Sequence, residues 1–347
     1  MIQISKPIIG KEEIDAVISV LESGILTQGK LVGKFEDSLR KYCGYRYAIA
    51  VNSGTAALHI GAIALNVNGN FAVPDFTFAA TAGSVKLSGN MPIFFDVNEK
   101  TFNMDFSRLR QGKFVATIPV SLFGQPYDVD EMTAIRKESG IKVISDNAQS
   151  LGTEWRGKKN FGDDIAILSF YPTKNITTTE GGAILTDNKE LAETCASLRN
   201  HGQKEKYSYE RVGFNYRMTE IAAAIGLEQI KKLEGFIEKR IRNAKMLTEL
   251  LENSVETPFI DQRCRHVFNQ YTIKTDKRDA VIKNMTANGI GYGIYYPSPL
   301  HSQKAFSSDS ECPVTDKLCK KVLSLPVHPS LTEDDIQKIA ETVRKSA

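Results

Sequence analysis

Ile165-Ala166-Ile167-Leu168-Ser169-Phe170 runs directly into Tyr171-Pro172-Thr173-Lys174-Asn175, so a short apolar stretch ends in a turn that carries a lysine, just ahead of a Thr-rich, Glu-Gly-Gly turn. A lysine at the end of a buried strand is partly desolvated. Its pKa falls, and its neutral amine can attack a carbonyl to make a Schiff base. Upstream the same kind of apolar run recurs at Tyr47–Val51, Phe71–Val73, Ile93–Phe95, Phe114–Val120 and Ile141–Ser145, each separated by a longer helix-like segment. That alternation at βαβ spacing predicts an α/β fold, with a mostly parallel central sheet between helices.

Working outward, Ala183–Asp187 reads as one more strand and Glu190–Arg199 as a helix. A long helical pattern from Met218 to Leu251 carries Ile221, Ile225, Leu233, Ile237 and Leu247 at near-helical spacing. The first 45 residues read as helical, with amphipathic stretches at Lys11–Leu21 and Lys34–Tyr42, expected to form an arm over the sheet or a partner subunit. Beyond residue 255, a strand at Tyr271–Lys274 and helices at Asp279–Asn288 and Thr332–Val343 suggest a smaller α+β domain. The expected division is 1–235 for the large domain with its N-terminal arm and 236–347 for the small C-terminal domain.

The 347 residues carry 44 basic and 41 acidic side chains. A net charge of +3 is too small to argue for a nucleic-acid or membrane surface, so any anionic ligand must be met locally. Cys43, Cys195, Cys264, Cys312 and Cys319 are scattered and odd in number, which argues against a disulfide framework and against a zinc site; no metal is expected. The opening Met1-Ile2-Gln3-Ile4-Ser5-Lys6 does not read as a signal peptide, and no apolar stretch approaches the ~20 residues that span a bilayer. A cytoplasmic protein is the expectation.

Ligands of open α/β sheets bind beyond the carboxyl ends of the strands. After Tyr47–Val51 come Asn52-Ser53-Gly54-Thr55-Ala56-Ala57-Leu58, small residues opening a helix whose free N–H groups suit a phosphate or simply form an ordinary cap. After Phe71–Pro74 come Asp75-Phe76-Thr77-Phe78, where an aromatic face could meet a planar ring or pack in the core. Ser121-Leu122-Phe123-Gly124-Gln125-Pro126 marks a turn. Asp146-Asn147-Ala148-Gln149-Ser150 places a carboxylate at a strand tip, either a helix cap or a functional acid. With Lys174 these ends describe a pocket for a phosphorylated, planar, protonatable ring bearing a carbonyl. Pyridoxal 5′-phosphate is such a molecule, with an acid keeping its ring nitrogen protonated.

Five ordered segments carry a family resemblance: Asn52–Leu58, Ser145–Gln149, Ser169–Asn175, Arg199-Asn200-His201-Gly202 and Asn215-Tyr216-Arg217-Met218-Thr219-Glu220. They resemble the successive signatures of the DegT/DnrJ/EryC1/StrS aminotransferases, fold-type I enzymes that mostly aminate nucleotide-linked keto-sugars. The resemblance extends from Ser23–Gly29 through Ile294–His301 to Leu323–Pro329. It implies that Lys174 forms the Schiff base, Asp146 pairs with the pyridine nitrogen and Gln149 contacts the ring hydroxyl. It assigns Gly54, Thr55, Ala56 and Ser169 to the phosphate and Phe78 to the ring face. Asn215 would reach the phosphate of a neighbouring subunit, which implies an obligate homodimer. Gln28 in the Gly29 loop, Tyr295, His301 and His328 would lie near the sugar or nucleotide.

Two positions bear on the chemistry. Where many relatives have His in a Val-His-Leu-Tyr-Gly type segment, this chain has Val120-Ser121-Leu122-Phe123-Gly124. The family's dehydratases carry His at the lysine position, so Lys174 argues for amination. The resemblance implies ping-pong transfer from L-glutamate to a UDP-, dTDP- or GDP-linked keto-sugar, with Lys174 moving the proton. A keto-cyclitol acceptor, or a regulatory protein that keeps the cofactor fold without turnover, are the alternatives.

Overall fold

The computed structural model describes residues 1–347. Seven strands form one sheet: β1 (Tyr47–Val51), β2 (Asn70–Pro74), β3 (Met91–Phe95), β4 (Ala116–Thr117), β5 (Lys142–Asp146), β6 (Ile165–Ser169) and β7 (Gly182–Thr186), in the order β1-β7-β6-β5-β4-β2-β3. β7 pairs antiparallel to both β1 and β6, and every other pairing is parallel, so the sheet is mostly parallel as expected. The fourth strand is shorter than the apolar run Phe114–Val120. Pro119 has no N–H to give to a ladder, and beyond it only Val120 makes an isolated bridge to Asp146.

Side chains alternate across the sheet. Ile49, Val51, Ile165, Ile167 and Ile184 enter a core shared with α3 (Gly54–Ala64), α4 (Ala79–Leu87) and α6 (Lys189–Arg199), with α5 (Val129–Ser139) placed between β4 and β5 in the chain. Ala50, Ala166, Leu168, Ala183 and Leu185 enter a second core with α2 (Lys30–Cys43) and the first half of α7 (Glu220–Leu251). Residues buried on both faces explain why these strands read as continuous apolar runs. The N-terminal α1 (Lys11–Ser23) and α2 both lie against α7.

α7 starts at Thr219, whose side chain caps the Ala222 N–H. It runs unbroken past residue 235: Leu233 and Ile237 belong to the sheet-side core, Ala244, Leu247 and Leu251 to a third core. That third core holds α8 (Arg278–Ala287), α10 (Glu333–Arg344) and an antiparallel pair, β8 (Tyr271–Lys274) with β9 (Val322–Leu325). β9 and the preceding α9 (Pro313–Lys321) were not legible as elements in the sequence; Ser324 and the following Pro326 blur the strand period. No helix is long and apolar enough to cross a membrane.

Candidate active site

The carboxyl ends of β1, β2, β5 and β6 lie along one edge of the sheet. Lys174 lies five residues past β6 in a turn closed by its own N–H to the Tyr171 carbonyl (2.8 Å). The turn is tied on both sides. Asn175 donates to the Leu151 carbonyl (2.9 Å), and Asn269 donates to the Thr173 carbonyl and the Asn175 amide oxygen (3.2 Å each). Desolvation pulls the Lys174 amine down to about 8, against the opposing pull of the Asp146 charge.

Asp146 ends β5 and is 4% exposed. Burial raises its carboxyl pKa; the Thr81 hydroxyl (2.9 Å to Oδ2), the Ala148 N–H (3.2 Å to Oδ1) and the Lys174 charge act the other way. Thr81 is itself within 3.1 Å of the Thr77 hydroxyl. Sequence reading missed both threonines: Thr77 precedes the helix that holds Thr81, and only the turn into that helix brings their hydroxyls together. Gln149 is fixed from two sides: its Oε1 accepts the Phe123 N–H (2.8 Å), and its Nε2 donates to the Tyr296 hydroxyl (2.9 Å). One Nε2 hydrogen remains free to donate. Tyr296, beside Tyr295 and just before Pro297, was the third residue missed.

At the end of β1, Ser53 caps α3 through the Ala56 N–H (3.1 Å), leaving the Gly54 and Thr55 N–H groups at the helix start. A Cβ on Gly54 would stand 2.8 Å from the Ser169 Cβ, so the helix start and the end of β6 are in direct contact there. Phe78 caps α4 and is 62% exposed, a large apolar ring standing free at a strand end. Asn215 is exposed, and its segment runs along the same end of β1: Tyr216 accepts the Asn52 N–H (2.9 Å) and Arg217 bridges to Val51.

The remaining candidates lie farther out. Gln28 sits in a loop that Glu220 holds by accepting the N–H groups of Gly29, Leu31 and Val32 (2.9 to 3.0 Å). Tyr295 is half-buried beside Tyr296. His301 is turned onto Asp75, giving its backbone N–H to one carboxylate oxygen and facing the other with Nδ1, each at 2.7 Å. His328 is buried, with Nε2 at 3.1 Å from the Gln3 carbonyl. Ser121, where relatives carry His, donates to the Asn147 amide oxygen (2.7 Å) and is buried.

These residues match pyridoxal 5′-phosphate in kind: a depressed amine, a buried acid, free N–H groups at a helix start too crowded for a Cβ, and an open aromatic ring. Residues 7–344 match the DegT/DnrJ/EryC1/StrS aminotransferase family. The chain belongs to that family. It is 38% identical over 342 residues to the UDP-2-acetamido-2-deoxy-3-oxo-D-glucuronate aminotransferase of Pseudomonas aeruginosa, covering 95% of this chain and 94% of that one. It is 37% identical over 358 residues to a protein of Geobacillus stearothermophilus called pleiotropic regulatory protein, covering 97% and 96%. An aminotransferase of the same family from Brucella abortus superposes with a TM-score of 0.92 at 34% identity, over 96% of this chain and 95% of that one. The chain is therefore a pyridoxal phosphate-dependent sugar aminotransferase of fold type I.

Proposed function

We propose that the enzyme moves an amino group from L-glutamate to the keto carbon of a nucleotide-linked deoxy sugar, working in the cytoplasm as a homodimer whose sites lie at the subunit interface. The observation that carries the reading is the pairing of a desolvated Lys174 with a buried, hydrogen-bonded Asp146. When bound, pyridoxal 5′-phosphate supplies an aldehyde that condenses with amines and a ring that accepts electrons from the carbon losing its proton.

Gly54, Thr55, Ala56 and Ser169 would hold the phosphate, Phe78 would cover one ring face, and Gln149 would give its free Nε2 hydrogen to the ring hydroxyl. Asp146 would hold a proton at the ring nitrogen, with the Thr81 hydroxyl steadying its carboxylate. Lys174 Nζ, neutral above about pH 8, would take the proton from the donor α-carbon and carry it to the carbon on the far side of the donor nitrogen. Asn215 reaches the partner subunit's site, where Gln28, Tyr295, His301 and His328 line the approach of the sugar nucleotide. Nucleotide-sugar names among the relatives support this acceptor class over a cyclitol. The complete lysine, acid and glutamine set supports turnover over a purely regulatory role.

Replacing Lys174 by Ala should abolish both the visible absorbance of the cofactor-bound enzyme and its turnover. Full turnover by that variant would refute the assignment. Incubating the wild type with L-glutamate and a panel of UDP-, dTDP- and GDP-linked 3-keto and 4-keto sugars, with product detection by mass spectrometry, identifies the acceptor. No product from any of them would overturn the acceptor class.

A further inference from the structure

Ser5, Lys6, Pro7 and Ile8 of the N-terminal segment, the 172–177 loop, α7 and Pro329 enclose a cavity of about 20 Å³ that Lys174 also lines. Arg240 projects into this region from the middle of α7 and is 4% exposed. Its hydrogen bonds are two long ones, 3.3 Å from Nη1 to the carbonyls of Phe268 and Asn269, and its Nε has no acceptor. No carboxylate pairs with it. The other buried arginine, Arg199, is paired with Glu36, as buried Lys274 is with Glu256.

Lys6 lines the same cavity, is exposed and makes no ion pair. His328 feels both charges: burial lowers its pKa first, and the positive charges of Arg240 and Lys6 lower it further. Its Nδ1 has no partner. The acid within range of His328, Asp335, already accepts the Thr332 N–H and hydroxyl. A buried guanidinium facing only neutral carbonyls is strongly disfavoured, and an anion is what completes it.

We propose that Arg240 and Lys6 form the seat of a carboxylate of the amino-acid donor, beside Lys174. This rests on the aminotransferase reading with an amino-acid donor. A cavity of this size admits one oxygen, which suits the edge of a carboxylate and excludes a phosphate or a sugar ring. The planar guanidinium offers Nε and Nη donors on one edge, matched to carboxylate geometry, and Lys6 adds a mobile charge at the rim. The seat also gives the N-terminal segment a role in donor binding.

The test is calorimetric titration of glutarate, a dicarboxylate without an amine, into the cofactor-loaded enzyme in low-chloride buffer, with Lys6→Ala and Arg240→Met compared. Lys6 lies on an exposed segment, and Met keeps much of the arginine's length, so both variants should retain the visible cofactor band. Saturable binding to the wild type that weakens about tenfold or more in both variants supports the seat; tenfold corresponds to about 1.4 kcal/mol. Equal binding to all three, or none to the wild type, overturns it. A role confined to bracing the Phe268 and Asn269 carbonyls would lower the melting temperature of Arg240→Met and leave glutarate binding by Lys6→Ala unchanged. Adding L-glutamate and following the visible band tests the donor separately: glutarate binding with no spectral change would keep the seat and remove glutamate as the donor.

Discussion

Desolvation sets the behaviour of Lys174, and the sign of its pH dependence follows. Its folded pKa of about 8 lies below the unfolded value of 10.5, so between those limits the unfolded chain binds the extra proton. Stability of the cofactor-free protein therefore rises with pH across that window, and the penalty for burying the charged amine is fully present below it. Lys174→Met should stabilise the cofactor-free protein at pH 7, with an advantage that shrinks as pH climbs from 8 to 10.5; denaturant midpoints at several pH values measure it. At Asp146 the Thr81 hydrogen bond favours the charged form, and burial opposes it. Thr81→Val should lower turnover about 10- to 100-fold, a loss of 1–3 kcal/mol expected of a buried acceptor deprived of its donor, while Thr81→Ser retains most of it. Because Asp146 would then titrate higher, the acid limb of the turnover profile should move to higher pH. An unshifted limb would show that Thr81 only packs.

Element geometry decides how the loops are held. Glu220, at the first position of α7, receives three N–H groups from the start of α2 and its preceding loop, and is buried. A carboxylate at a helix N-terminus is favoured by the dipole and by unpaired N–H groups. Glu220→Ala should cost about 3 kcal/mol and speed hydrogen exchange in residues 26–32, which denaturation and exchange mass spectrometry would report. The cradle makes the opposite kind of demand: Gly54→Ala places a carbon 2.8 Å from Ser169 Cβ, so the helix start must move, and cofactor affinity should fall at least about tenfold. Titrating pyridoxal phosphate into the cofactor-free variant measures that loss. The helices and sheet strands were legible because apolar period and burial agree, as at Ile165–Ser169. β9 was not, because its burial comes from pairing with β8, which lies 52 residues earlier at the Thr272 to Ser324 register.

For the whole molecule, the proposed dimer has a direct test. If Asn215 serves the partner's site, Lys174→Ala and Asn215→Ala subunits should complement each other: a 1:1 mixture allowed to exchange subunits would recover about a quarter of wild-type activity, since half the dimers are mixed and each holds one whole site. Activity no greater than that of the separate variants would place Asn215 in its own subunit's site or in none. Asn215 and Phe78 are both exposed in the single chain.

By itself, the sequence determined the chemistry and the class of fold: strand runs buried on both faces, an amine and an acid at strand ends, and ordered signatures that survive because backbone shape and cofactor contacts are local to each segment. Only the tertiary structure decided which side chains orient those groups. Thr81 behind Asp146, Tyr296 and the Phe123 N–H on Gln149, Asp75 on His301, and Arg240 on the Phe268 and Asn269 carbonyls are all contacts between segments well separated in the chain. No local pattern encodes them, because burial and hydrogen-bond partnership at those positions are set by how segments distant in the chain pack together.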